Sequence, residues 1–232
     1  MKIILTGSTG YIGNEVLLQC LANPSITSII ALSRRNLKIS DPKLKVIIHE
    51  DFTTYPPELM TQLADADACI YCLGSNVPVK PPELNQKINF DYAITTARTF
   101  AGFFNSSNSA PMNKSFKFVY LSGALPEKDP EKKLWFLAEN RRMRGELENA
   151  LLQLGKEKEG TGFEVFVARP GFVQKEGAVL KAWLVGLVGK YIFMPDLAAS
   201  MVDVALHGYS RPIIENEMLV ELGRKVATRG NS

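Results

Sequence analysis

The sequence predicts an α/β fold in a single domain, a doubly wound parallel sheet covered by helices on both faces. Three observations predict it. Short apolar runs alternate with helix-period segments along most of the 232 residues, as expected of strands buried on both faces. The first run leads directly into a glycine-rich turn, Thr6-Gly7-Ser8-Thr9-Gly10-Tyr11-Ile12-Gly13, that opens a helix. No repeat or linker composition interrupts the alternation, and a chain of this length buries a large core without staples.

Strands are expected over residues 2–5, 29–32, 45–48, 68–73, 116–121 and 163–168, each rich in Ile, Val, Leu, Phe or Tyr, the residues that favour a pleated, buried surface. Helices are expected over 11–22, 57–64, 84–104, 131–154, 178–189 and 196–208. A short strand near 218–222 closes the sheet. Right-handed crossovers between parallel strands then give the doubly wound arrangement. Within the one domain, 1–232, residues 171–217 are expected as a small helical region on the substrate side. Ligands bind at the carboxyl ends of such strands, which assigns segments 74–83, 122–130 and 170–177 to the site. The Ser/Asn-rich segment 105–115 enters the fifth strand from its other end and reads as a surface insertion.

Composition excludes several classes. A hydrophobic share of 46% with 22% charged residues is that of a globular protein. A net charge of +3 without a basic run argues against nucleic acid as partner. The most hydrophobic stretch, 178–193, carries Lys181 and Lys190 and falls short of the roughly 20 apolar residues a membrane span needs. Met1-Lys2 runs straight into a strand, so no signal peptide and a cytoplasmic location are expected. Three cysteines make no disulfide framework. Cys69 and Cys72 have C-x-x-C spacing, but three residues apart on a strand they point to opposite faces. His49 and His207 lack the Cys or carboxylate pattern of a zinc site, so no metal is expected.

The glycine turn suits one task, holding a dinucleotide pyrophosphate. Gly7 allows the tight turn, Gly10 lets backbone approach phosphate, and Gly13 lets the helix pack closely on the strand. Ser8, Thr9, Tyr11 and Ile12 complete the cradle. An NAD site places a carboxylate on the ribose roughly 20 residues further on. Here that region reads Ser33-Arg34-Arg35. Arginines bind a 2′-phosphate through charge-assisted, often bidentate bonds, and Ser33 leaves room and adds a donor, so NADP(H) is the expected cofactor. Asp51 and Phe52 follow the third strand, where an adenine edge would lie, with helix capping as the competing role for Asp51. Leu73, Gly74 and Ser75 would run along the ribose and phosphates.

With these residues the chain resembles the short-chain dehydrogenase/reductase superfamily, a Rossmann fold, from Met1 to about Leu222. The glycine turn matches the T-G-x-x-G-x-x-G pattern of its extended and atypical members. Asn89, Tyr120-Leu121-Ser122-Gly123 and Arg169-Pro170-Gly171 agree as well. The run Gly145-Glu146-Leu147-Glu148-Asn149-Ala150-Leu151-Leu152 resembles the atypical branch holding Tat-interacting-protein-like and nucleoside-sugar-epimerase-like proteins. The resemblance implies that Pro170 and Gly171 touch the cofactor and that Ser122 orients the substrate oxygen. It also implies a Tyr-x-x-x-Lys pair, which is missing: Asn140 stands at the Tyr position and Arg144 at the Lys position. An amide is no proton-transfer acid, whereas Arg144 can still bond ribose hydroxyls. Trp135 and Phe136 are candidates for an apolar substrate wall. Three functions follow: an NADP(H)-dependent oxidoreductase on a small apolar carbonyl substrate, a non-catalytic NADP(H) sensor or scaffold, or the fold reused for a non-redox isomerisation or cyclisation.

Overall fold

In the first strand, Ile4 points to one face of the sheet while Ile3 and Leu5 point to the other, and all three are fully buried. Repeated in each strand, that alternation sorts the apolar side chains into two cores. The structure, a computed structural model, describes residues 1–104, 115–123, 126–127, 138–175 and 190–229. Its strands are β1 (Lys2–Thr6), β2 (Ser28–Ser33), β3 (Leu44–Ile48), β4 (Ala68–Tyr71), β5 (Phe116–Leu121), β6 (Phe163–Arg169), β7 (Phe172–Gln174), β8 (Tyr191–Phe193) and β9 (Ile213–Glu215). Seven of them form one sheet in the order β3-β2-β1-β4-β5-β6-β9, and β7 pairs with β8 beside it. Every pairing is parallel.

The helices are α1 (Tyr11–Ala22), α2 (Pro57–Leu63), α3 (Pro82–Gln86), α4 (Tyr92–Phe103), α5 (Ala138–Glu157), α6 (Met194–His207) and α7 (Asn216–Arg229), with a π-helical turn at Lys87–Asp91. Leu59 of α2, Phe100 of α4 and Leu147 of α5 cover Ile4, Tyr71 and Phe118 on one face. Leu17 of α1, Met201 of α6 and Leu219 of α7 cover Leu5, Ile70 and Val119 on the other.

Three expectations are revised. Residues 218–222 lie in α7, and the strand that closes the sheet is β9, just before it. β9 spans only Ile213–Glu215, too short to show a period. The apolar run in α7 packs instead on α6, so closely that a Cβ at Gly223 would sit 2.2 Å from the carbonyl oxygen of Asp196. The helix expected over 84–104 begins at Pro82 and is interrupted by the π turn. Of residues 171–217, the described parts hold β7, β8, α6 against the second face, and β9 in the main sheet. Residues 131–137 and 178–189 lie outside the described residues, as does most of 105–115.

The strand order reverses direction of growth between β1 and β4. At that switch point the connections diverge and leave a crevice beyond the carboxyl ends. The end of β1 carries the glycine turn, and the end of β4 carries Leu73 and Gly74.

Candidate cofactor and substrate cleft

Gly7 takes the left-handed backbone, with φ at 72°, and a Cβ there would lie 2.4 Å from the carbonyl oxygen of Cys72. The turn closes through Gly10 N–H donating to the Gly7 carbonyl at 2.8 Å. Gly13 lies against that same carbonyl, where a Cβ would come within 2.2 Å. Gly10 is the N-cap of α1, and no side chain caps it, so the first-turn N–H groups of α1 face the crevice uncapped.

Two neighbouring chambers occupy the crevice. The outer, about 500 Å³, is lined by Gly7, Thr9 and Gly10 from the turn, Ser33, Arg34 and Arg35 after β2, Glu50 after β3, and Leu73 and Gly74 after β4. The inner, about 110 Å³, is lined by Gly10, Ile12, Gly13, Leu73, Gly74, Ser75, Asn76, Asn89, Tyr120, Ser122 and Arg144. Gly10, Cys72, Leu73 and Gly74 border both and form a waist. Arg34 and Arg35 are exposed and neither forms an ion pair among the described residues. Ser33 Oγ accepts from the Arg35 N–H at 3.3 Å.

At the inner end, Arg144 extends over Gly123, where a Cβ would lie 2.8 Å from its Nη1, and its Nη2 donates to Asn76 Oδ1 at 3.4 Å. Ser122 Oγ donates to Glu148 Oε1 at 2.6 Å. Glu148 is fully buried and is gripped by Arg169, which also pairs with Glu215. Burial pushes the Tyr120 phenol above its ordinary range, with the Arg144 charge opposing.

Several expected site residues are not brought into the cleft. Asn140 is 2% exposed, and its Oδ1 accepts from Asn85 Nδ2 at 2.8 Å. Asn85 Oδ1 accepts in turn from Asn89 Nδ2 at 2.8 Å, and Asn89 Oδ1 accepts from the Ser75 N–H at 2.6 Å. Asn140 thus ends an amide ladder behind the cleft wall, with its own Nδ2 buried and unpartnered. Phe52 is fully buried, its ring against His49 and Tyr92, so it cannot flank an adenine. Asp51 accepts from Thr53 N–H at 3.0 Å and Thr53 Oγ1 at 2.7 Å and pairs with Lys87. Those bonds, the Thr53 hydroxyl foremost, hold its carboxyl below the usual range. Ser8 is buried with its hydroxyl unpartnered. Tyr11 is 48% exposed, with Lys175 over its ring. Pro170 is buried, and the Gly171 N–H is taken by Asn216 Oδ1 at 2.7 Å. Trp135 and Phe136 lie outside the described residues.

The structure also adds residues that no motif marked. Glu50, Ile88 and Asn76 line the chambers beside Asn89 and Tyr120, which the family resemblance did mark, and Ile88 and Asn89 both lie in the π turn. Such turns recur at functional sites. Cys72 borders the waist, with burial pushing its thiol well above its ordinary value, so it is held as an unreactive thiol. No His/Cys/Asp/Glu group able to hold a metal occurs among the described residues, and none of the described helices is long and apolar enough to cross a membrane.

No protein-family model matches the chain. It is 32% identical over 124 residues to leucinostatins biosynthesis cluster protein T of Purpureocillium lilacinum, a match covering 53% of this chain and 42% of that protein. The chain therefore spans about two fifths of that relative. Over 244 residues it is 25% identical to the mitochondrial protein FMP52 of Candida albicans, covering 95% of this chain and 94% of that one. Among solved structures it resembles a short chain dehydrogenase from Burkholderia cenocepacia in complex with NADP, with TM-score 0.69 and 15% identity over 99% of this chain and 94% of that chain. Gre2 from Candida albicans in complex with NADPH also gives TM-score 0.69, with 16% identity over 93% of this chain and 78% of that chain. These likenesses show a fold shared with an NADP-bound short chain dehydrogenase and with NADPH-bound Gre2.

Proposed function

We propose that this chain binds NADP(H) on its short-chain dehydrogenase fold and acts as an oxidoreductase exchanging hydride with a small apolar carbonyl compound. One observation carries the reading. The two chambers share Gly10, Cys72, Leu73 and Gly74 over the switch point, with Arg34 and Arg35 lining one and Ser122 and Arg144 lining the other. The residues suit the cofactor. Uncapped N–H groups of α1 face the position of a pyrophosphate, and Arg34 and Arg35 with Ser33 suit a 2′-phosphate. Two solved neighbours with this fold were crystallised with NADP and NADPH.

When bound, the cofactor would supply a hydride donor or acceptor at the inner chamber. Arg144 would hold the nicotinamide ribose hydroxyls and place positive charge there. Asn140 delivers no proton, being an amide turned toward Asn85. Proton transfer would then run through Ser122 or water. The same ladder favours a second reading, a sensor that binds NADP(H) without turnover, because it removes the expected acid position from the cleft.

Calorimetric titration tests the cofactor. NADPH should bind about 10–100-fold tighter than NADH, the worth of one charge-assisted hydrogen bond. Arg34→Ala with Arg35→Ala should abolish that preference. Equal affinities in the unaltered protein would reject the NADP(H) reading. Binding without NADPH oxidation across a panel of ketones and quinones would select the sensor. A cytoplasmic site of action is part of the proposal, set against the mitochondrial relative, and cell fractionation decides it.

A further inference from the structure

At rest the Ser122 proton points into the protein and away from any ligand in the cleft. Its hydroxyl donates to Glu148 Oε1 at 2.6 Å. Glu148 is fully buried, and Arg169 donates through Nε to that same oxygen at 3.2 Å and through Nη2 to the other. A carboxylate bound this way only accepts, so the direction of the Ser122 bond is dictated by its partner. Arg169 is braced from β9 by Glu215, which keeps the clamp rigid. Ser122 also lines the inner chamber. With its proton committed, Ser122 Oγ has only lone pairs left for a ligand in the chamber.

We propose that the inner chamber recognises a hydroxyl group, with Glu148 as the positioning residue that fixes Ser122 as an acceptor, so the substrate bound there is an alcohol in preference to the matching ketone. The assignment rests on the cofactor reading above and gives it a direction. A carbonyl oxygen placed against Ser122 would meet lone pair with lone pair, whereas an alcohol O–H completes the chain into Glu148. In the oxidation, bound NADP⁺ would supply the acceptor for the carbinol C–H hydride. The carbinol O–H proton goes to Ser122 Oγ as the Ser122 proton moves to Glu148 Oε1, and C=O forms as C–H and O–H break. Once the ketone leaves, the proton returns through Ser122 to water in the cleft.

Cyclohexanol and cyclohexanone nearly match in size and differ in the ability to donate, so they serve as probes. Each is titrated calorimetrically into the protein saturated with NADP⁺. Cyclohexanol should bind about fivefold to tenfold tighter, the worth of one net hydrogen bond. Ser122→Ala leaves the Glu148–Arg169 pair intact and should abolish the preference. Glu148→Gln can donate to Ser122 and release its proton to the chamber, which should shift the ratio toward the ketone. A purely structural Glu148 would lower both affinities and leave the ratio alone. Should Glu148→Gln fail to fold, Ser122→Ala carries the decision. Equal or tighter binding of the ketone, an unchanged ratio in Ser122→Ala, or no binding of the alcohol overturns the assignment. NADP⁺ titrated first separates the two ideas. Its failure to bind rejects the cofactor reading, and the alcohol–ketone comparison on cofactor-free protein still decides the role of Ser122.

Discussion

Gly13 locks the first turn to the first helix, because the carbonyl of Gly7 occupies the space a side chain would need. Gly13→Ala should therefore lower stability by about 1–3 kcal/mol, the usual cost of overpacking, read as a lower urea midpoint. An unchanged midpoint would mean that α1 shifts freely. His49 makes a different prediction. It is buried with Nε2 unpartnered, and burial holds its pKa below the ordinary 6.5, with Asp51 opposing. The native state then takes up a proton less readily than the unfolded chain. Stability is full above about pH 6.5 and falls as the pH drops below it. Urea midpoints between about pH 7 and pH 5 should fall more for the unaltered protein than for His49→Phe; parallel curves would contradict this. The tight turn at Gly7 and the place of Arg34 and Arg35 just after β2 were legible because neighbours in sequence define that geometry. Asn140 and Phe52 were misplaced because their partners, Asn85 and the His49–Tyr92 rings, depend on contacts the motif does not contain.

Asn216 shows what elements hide from a sequence. Its side chain takes the Gly171 N–H at 2.7 Å and donates to the Tyr191 carbonyl at 3.2 Å, pinning β7 and β8 to the margin of the main sheet. Asn216→Ala would leave those backbone groups unmet, at about 1–3 kcal/mol. The check is hydrogen exchange at the Gly171 amide, which should quicken more than amides in β1. Long apolar strands such as β5 were legible to the residue, since a run of Phe, Val, Tyr and Leu has few other homes. β9 was not, because three residues carry no period. The break between α3 and α4 was not, because a π turn keeps helical composition while shifting the face by one residue.

Across the whole molecule, the two faces of the sheet separate Cys69 from Cys20 and Cys72. Cys69 lies in the core under α4 and α5, and Cys20 and Cys72 lie on the side of α1. Burial pushes the Cys20 thiol up to about 12 and raises those of Cys69 and Cys72 as well. The native protein should react slowly with Ellman's reagent, and all 3 cysteines should react once it is denatured. Fast native labelling of Cys69 would place it wrongly.

The waist between the chambers has its own consequence. Because only Gly10, Cys72, Leu73 and Gly74 are common to both, the proposed dinucleotide would be held as two tethered guests. Each half, once seated, raises the effective concentration of the other at its own chamber, so modest grips at both ends multiply into a firm one. Adenosine-side arginines can then set which cofactor is chosen while the far end stays free to vary with the substrate.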